Sequence, residues 1–329
     1  MSFFAVLIAL LIEQLKPLPR DNWVHERLKG WVAWVGRNFD AGREHHAWVV
    51  WSVSVAVPAL AVALAYVLLA RQSLLLGLAA DVAVLYLTLG FRQFSHYFSD
   101  IRQAFDRGDE DEARRLLAEW LHLDARDLPR TELLRHVVEH ALLAAHHHVF
   151  GVFFWFIAGS ALGLGPTGAV LYRMAEFGAR YWAYRQLALD APANDRLRAV
   201  AQQAFGRIDH LPARLTAFGF AVVGNFEEAI NGWRRDAALW PQANDGVILA
   251  AAAGAVGVQL GGEAAPGLSP DRSQSFSGGP QAAAAGSAGS TPGVPLQPAH
   301  LQSLVGLVWR SVVLWMLLLA LLTLANVLG

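Results

Sequence analysis

AWVVWSVSVAVPALAVALAYVLLA, Ala47 to Ala70, is 24 residues without a charge and with a single proline. About 20 apolar residues span the hydrocarbon core of a bilayer, so this stretch alone reads as a membrane helix. After the break Arg71-Gln72-Ser73 the chain is apolar again from Leu74 to Phe91, with Asp81 its one acid. Ala141 to Leu164 carries no formal charge although it holds His146, His147 and His148, and Val312 to Leu328 adds 17 uncharged residues. Ser2 to Ile12 is shorter, has no basic stretch before it and no Ala-x-Ala site after it, and runs straight into Glu13. It reads as a first, retained membrane helix rather than a signal peptide.

The composition of the whole chain agrees with these clusters. Of 329 residues 55% are hydrophobic and 16% are charged, against about 25% charged in an average soluble domain. The expected class is therefore all-α, a polytopic membrane protein with about five or six membrane helices plus cytoplasmic helices. A net charge of −1 excludes nucleic-acid binding by bulk charge, and the absence of cysteine excludes disulfides, thiolate metal sites and a cysteine nucleophile. The lysines, Lys16 and Lys29, follow no Gly-x-x-x-x-Gly frame, which excludes a P-loop.

Loop charge orients the segments. Residues 16–46 carry six Lys/Arg and residues 92–135 carry eight, so both are expected on the cytoplasmic side, with the Arg71-Gln72-Ser73 hairpin outside. The organisation that follows is a membrane domain over 1–262 with cytoplasmic helical segments at 16–46, 92–136 and 186–214. A Gly/Ala/Ser/Pro-rich linker, 263–300, and a C-terminal membrane helix, 301–329, complete it.

Polar residues within such segments default to a functional reading. His136, His140 and His147 fall on one helical stripe with Glu139 beside them, a spacing that offers a divalent-metal site or an interfacial hydrogen-bonding face. In LYRMAEFGARYWAYR, Arg173, Glu176 and Arg180 stand at i,i+3 and i,i+4 spacing, either neutralising one another or presenting arginines to a phosphate or carboxylate. In GRIDHLPARLTAF, Asp209 and Arg214 flank Pro212 at the start of an apolar run. Gly254, Gly257, Gly261 and Gly262 lie in AAAAGAVGVQLGG at a spacing that suits close helix packing.

Taken in order, DRGDEDEARRLLAEWL, Glu139 before an apolar run, IDHLPARLTAF and NDGVILAAAAGAVGVQLGG resemble the CobD/CbiB family of cobalamin-biosynthesis membrane proteins. PARLTA (Pro212 to Ala217) and AAAAGAVGVQLGG (Ala250 to Gly262) are the most specific strings, and the likeness covers most of residues 90–262. The resemblance implies an inner-membrane protein that uses ATP and Mg²⁺ to join adenosylcobyric acid, a corrinoid, to an aminopropanol or its phosphate. It carries Glu139 and Asp209 over as catalytic acids, and Arg214, Asn244, Gly246, Gly261 and Gly262 as substrate- or phosphate-binding positions. Arg173 and Arg180 join that set as further candidate phosphate contacts. The bilayer, the corrinoid and the aminopropanol phosphate are the implied partners, and a homo-oligomer is compatible with them. The layout, above all Met1 to Pro17 and GPTGAVLYRM, also resembles AmpE, an inner-membrane family implicated in β-lactamase induction, which implies a non-catalytic sensor. The intramembrane His and Arg residues leave a transporter as a third reading.

Overall fold

Apolar length and end chemistry decide where helices start and stop. The computed structural model describes residues 2–16, 23–39, 44–121, 125, 128–188, 195–262 and 287–328. Among them the architecture is all-helical, with two isolated backbone bridges and no β-strand. Three stretches are long and apolar enough to cross a membrane: 46–72, 130–161 and 298–325.

Helix α1 (Ser2–Leu15) packs on α4 (Leu74–Thr88), which forms a hairpin with α3 (Glu44–Gln72). The hairpin is set by Ser73, extended at φ −161°, whose hydroxyl accepts the Leu75 N–H at 3.2 Å and starts α4. Pro58 lies inside α3, a position membrane helices tolerate. The outer faces stay apolar and uncovered: Leu60 and Leu64 on α3 expose 66% and 63% of their surface. Leu321 and Leu322 near the end of the chain are likewise exposed. A row of bare leucines of this kind fits lipid, not water.

The helix α2 (Trp23–Phe39) and the pair α5 (Phe91–Asp106) and α6 (Glu110–Leu121) are the polar, amphipathic elements. Phe98, Ile101 and Phe105 share the buried face of α5, as their spacing predicts. Gly108, at φ +75°, breaks the chain after α5, and Asp109 accepts the Glu112 N–H at 3.0 Å to open α6.

The centre of the molecule is a continuous rod: α7 (Arg130–Ala145), one π turn (His146–Phe150) and α8 (Gly151–Ala161). Every residue from 133 to 153 is buried. Around the rod stand α9 (Thr167–Ala188), α10 (Asp195–Ile208), α11 (His210–Val223), α12 (Phe226–Asp236), α13 (Ala243–Val256) and α14 (Pro298–Leu328). At 14 residues each, α11 and α13 are about 21 Å long, short of the roughly 30 Å bilayer core, so neither crosses it alone.

α12 and α13 touch backbone to backbone. A Cβ on Gly254 would collide with the Glu228 carbonyl oxygen, and one on Gly246 with that of Ala237. Gly254→Leu is therefore expected to separate α12 from α13 and lower stability by about 3 kcal/mol or more. A drop in the melting temperature of the detergent-solubilised protein checks it. An unchanged melting temperature contradicts the close contact.

Gly257, at φ +76°, ends α13 in the left-handed conformation, and the chain then runs extended. Of the expected linker, 263–286 lies outside the described residues. The rest of it differs from a free linker: Ser287 N–H donates to Gly262 O at 2.8 Å, Thr291 N–H to Leu260 O at 2.8 Å and Gln259 N–H to Val294 O at 2.9 Å. Residues 287–294 thus clasp the Gly-Gly turn, and α14 begins at Pro298, ahead of the expected 301. The expected cytoplasmic segments 16–46, 92–136 and 186–214 are each described only in part.

Candidate functional site

A carboxylate inside protein must find donors, and Asp209 finds three. It sits 1% exposed between α10 and α11. Its Oδ1 accepts from the His146 ring Nε2 at 2.8 Å and from the Tyr172 hydroxyl at 2.8 Å. Its Oδ2 accepts from Asn244 Nδ2 at 3.1 Å. The His146 Nδ1 stands 2.9 Å from the Thr216 Oγ1, which supplies or takes the remaining proton. The π turn, α9, α11 and α13 are thereby tied to one buried carboxylate.

Burial pushes the Asp209 carboxyl up, but the His146 ring, its hydrogen bond, His147 and the Tyr172 hydroxyl outweigh burial and hold it below the usual carboxylate range. A group so held is an ionised anchor. Its oxygens face protein donors, not solvent, and so fix the orientation of His146, Tyr172 and Asn244.

What it positions reaches the surface. Asn244, buried by Asp209 and by the Gly206 carbonyl at 2.9 Å, turns its Oδ1 to Arg214 Nη1 at 2.9 Å. The same Nη1 donates to the His210 carbonyl at 2.7 Å. Arg214 is half-buried, and these bonds occupy only Nη1 of a guanidinium that carries five N–H donors. The rest of the fork is available to an anion. Pro212 and the helix start it imposes put Asp209 and Arg214 about one and a half turns apart, which is why the Pro-Ala-Arg string reads as a unit.

A second polar group lies on α9. Glu176, 1% exposed, accepts from Arg173 Nη1 at 2.8 Å and from Arg180 Nη2 at 3.1 Å. The charges expected at this spacing do pair, and the pair is buried from the Glu176 side while both arginines keep partial exposure.

Glu139 belongs to a third place, seven residues before His146 on the rod and about 10 Å along it. Its Oε1 accepts the Gly261 N–H at 2.8 Å, and its Oε2 lies 3.7 Å from Arg135 Nη1. Arg135 also pairs with Glu132. Gly261 and Gly262 have φ +84° and +138°, which side chains resist, and Gly262 N–H donates to Ser287 Oγ at 2.6 Å. Glu139, Gly261 and Gly262 therefore form a structural clasp. Gly246 is likewise required by the Ala237 carbonyl beside it.

The expected metal set, His136, His140, His147 and Glu139, does not converge. The rod is buried on all sides, so a helical stripe on it meets different neighbours at each turn, and His140 packs edge-on against Trp120 at 4.3 Å. The donors that do come together among the described residues are His146, His147 and Asp209. Sequence reasoning missed His146, Tyr172, Thr216 and Asp245. The available signal was Thr216, two turns from Asp209 on one face, and the three consecutive histidines.

Mg²⁺ takes hard oxygen ligands in octahedral geometry. Two of the three convergent groups are imidazoles and only one is a carboxylate, so this site does not fit Mg²⁺. A magnesium ion carried on nucleotide phosphates needs no such cage.

A family described as CobD/Cbib protein matches residues 3–283. A protein named Cobalamin biosynthesis protein CobD from Stutzerimonas stutzeri (strain A1501) is similar, 32% identical over 244 residues, 74% of this chain and 73% of that one. Another of that name from Chromobacterium violaceum is 34% identical over 193 residues, 58% of each chain. A third, from Leptospira interrogans, is 26% identical over 226 residues, 65% of each. No solved structure matches.

Proposed function

Because the chain belongs to the CobD/CbiB family, we propose that it works in cobalamin biosynthesis as a membrane-embedded acid–amine ligase. The proposed substrates are a corrinoid carboxylic acid and an aminopropanol or its phosphate, joined as an amide at the expense of ATP. In the balanced reaction, carboxylate, ammonium and ATP give amide, ADP, phosphate and a proton. The observation that carries the reading is the family match, which spans Asp209, Arg214, Asn244 and the Gly261-Gly262 turn.

The residues support it in a defined way. Arg214 offers its open guanidinium donors to an anionic oxygen, a phosphate or an activated carboxyl, at the edge of the buried Asp209 network. Asn244 and Asp209 fix the direction of that fork, so binding spends little on ordering it. Arg173 and Arg180 form the second arginine surface, with Glu176 holding them in place.

We place the protein in the inner membrane with about five or six spanning helices and residues 16–46, 92–136 and 186–214 on the cytoplasmic face. Loop charge supports this, and the cytoplasm is where ATP and the amine are found. Expression in a strain that lacks cobinamide-phosphate synthesis tests the function. Growth that depends on corrinoid synthesis is expected to return. Failure to restore it, with the protein present in the membrane fraction, counts against the ligase reading.

A further inference from the structure

The donor set that refuses Mg²⁺ has a different preference. We propose that His146, His147 and Asp209 bind a borderline divalent transition metal of the zinc class, with Asp245 within reach as a fourth ligand. One ligand atom from each of His146, His147 and Asp209 lies within 4.8 Å of the others, and all three residues are buried. Imidazole nitrogens with one or two carboxylates are the ligands of Zn²⁺ and its neighbours in the first transition row, not of Mg²⁺ or Ca²⁺.

A second observation is independent of that convergence. His147 is 5% exposed, and neither of its ring nitrogens has a hydrogen-bond partner. A buried imidazole without a partner is costly and is rare in native proteins. Its Nε2 stands 3.9 Å from Asp245 Oδ1, and its ring centroid lies 5.1 Å from that of His146. The π turn carries the two histidines on consecutive residues, with Thr216 of α11 beside His146 and with Phe205 of α10 and Asp245 of α13 beside His147. A metal gives His147 the partner it lacks.

The surroundings match what metal ligands need. Thr216 Oγ1, 2.9 Å from His146 Nδ1, can accept that N–H and leave Nε2 free for the metal. Tyr172 and Asn244 hold the two Asp209 oxygens and set the carboxylate's orientation. The movement required is small. Two ligands on one tetrahedral zinc stand about 3.3 Å apart, so the 2.8 Å contact of His146 Nε2 with Asp209 Oδ1 opens slightly while His147 closes in.

The test uses the full chain in detergent, stripped with a chelator and titrated with Co²⁺ alone. One equivalent is expected, with the visible bands of four-coordinate cobalt, displaced by Zn²⁺ but not by Mg²⁺. His147→Ala is expected to weaken binding by more than about 100-fold and Thr216→Val by about 10–100-fold. His96→Gln, at an exposed histidine, leaves it unchanged. Absence of stoichiometric Co²⁺ in the folded wild type, or binding that survives His147→Ala, overturns the proposal. If His147→Ala does not fold, X-ray absorption of the wild-type Co²⁺ complex decides: imidazole scattering supports the site and an all-oxygen shell overturns it.

Discussion

Asp209→Ala is expected to cost about 3–5 kcal/mol of stability, because removing one member of a buried charged network leaves its partners stranded. His146 and Tyr172, both fully buried, lose the acceptor they point at, and Asn244 keeps only the Gly206 carbonyl. Asp209→Asn keeps the shape and loses the charge, so it should fall between the variant and the wild type. The sign of the pH dependence follows from the lowered carboxyl: its contribution is present above the unfolded value, about 3.9, and is lost as pH falls through the folded one. Melting temperatures in detergent between pH 7 and about pH 2, through the window below the unfolded value, check both. The wild type should lose stability steeply at the acid end, and Asp209→Asn should start lower and change less. Equal slopes contradict an ionised Asp209 in the hub.

Arg214→Ala should leave the fold nearly intact and lower kcat/KM for amide formation by about 100- to 1,000-fold, the usual effect of losing one preorganised donor. The residue is half-buried and its backbone belongs to a helix packed through other side chains, so stability is not where the loss appears. Arg214→Lys should recover only part of the rate, since an ammonium cannot donate to Asn244 and to an anion in one plane. Kinetics in proteoliposomes, with melting temperature measured in parallel, separate the two effects. A variant with full activity removes Arg214 from the site.

The membrane character was legible in the apolar clusters, and α3 follows Ala47 to Ala70 closely. The rod was legible only in its second half. Arg130 to His140 is too polar for lipid, yet from Leu133 on it is buried in protein: Arg135 pairs with Glu132 and Glu139, and His140 meets Trp120. A hydropathy pattern reports length and composition, not what surrounds a helix, so the apolar run from Ala141 could not show that the helix begins at Arg130.

The candidate site divides in the same way. Asp209 and Arg214 are near in sequence, and the family resemblance named them with Asn244. That Asn244 reaches back 35 residues to Asp209, or that Tyr172 and His146 aim at the same oxygen, is decided by packing. Glu139 was legible as important but not as a clasp, because its partner is a backbone N–H 122 residues away. The histidine stripe failed because it assumed one face meets one neighbour, which does not hold for a helix buried all round.

The central claim is that this membrane fold forms an amide between a corrinoid acid and an amine. Its most direct test is a ligation assay with the purified full chain in proteoliposomes, supplied with adenosylcobyric acid, aminopropanol phosphate and Mg·ATP. Formation of the amide with one ADP released per bond is the predicted result. Folded protein that makes no amide, and releases no ADP when both substrates are present, contradicts it.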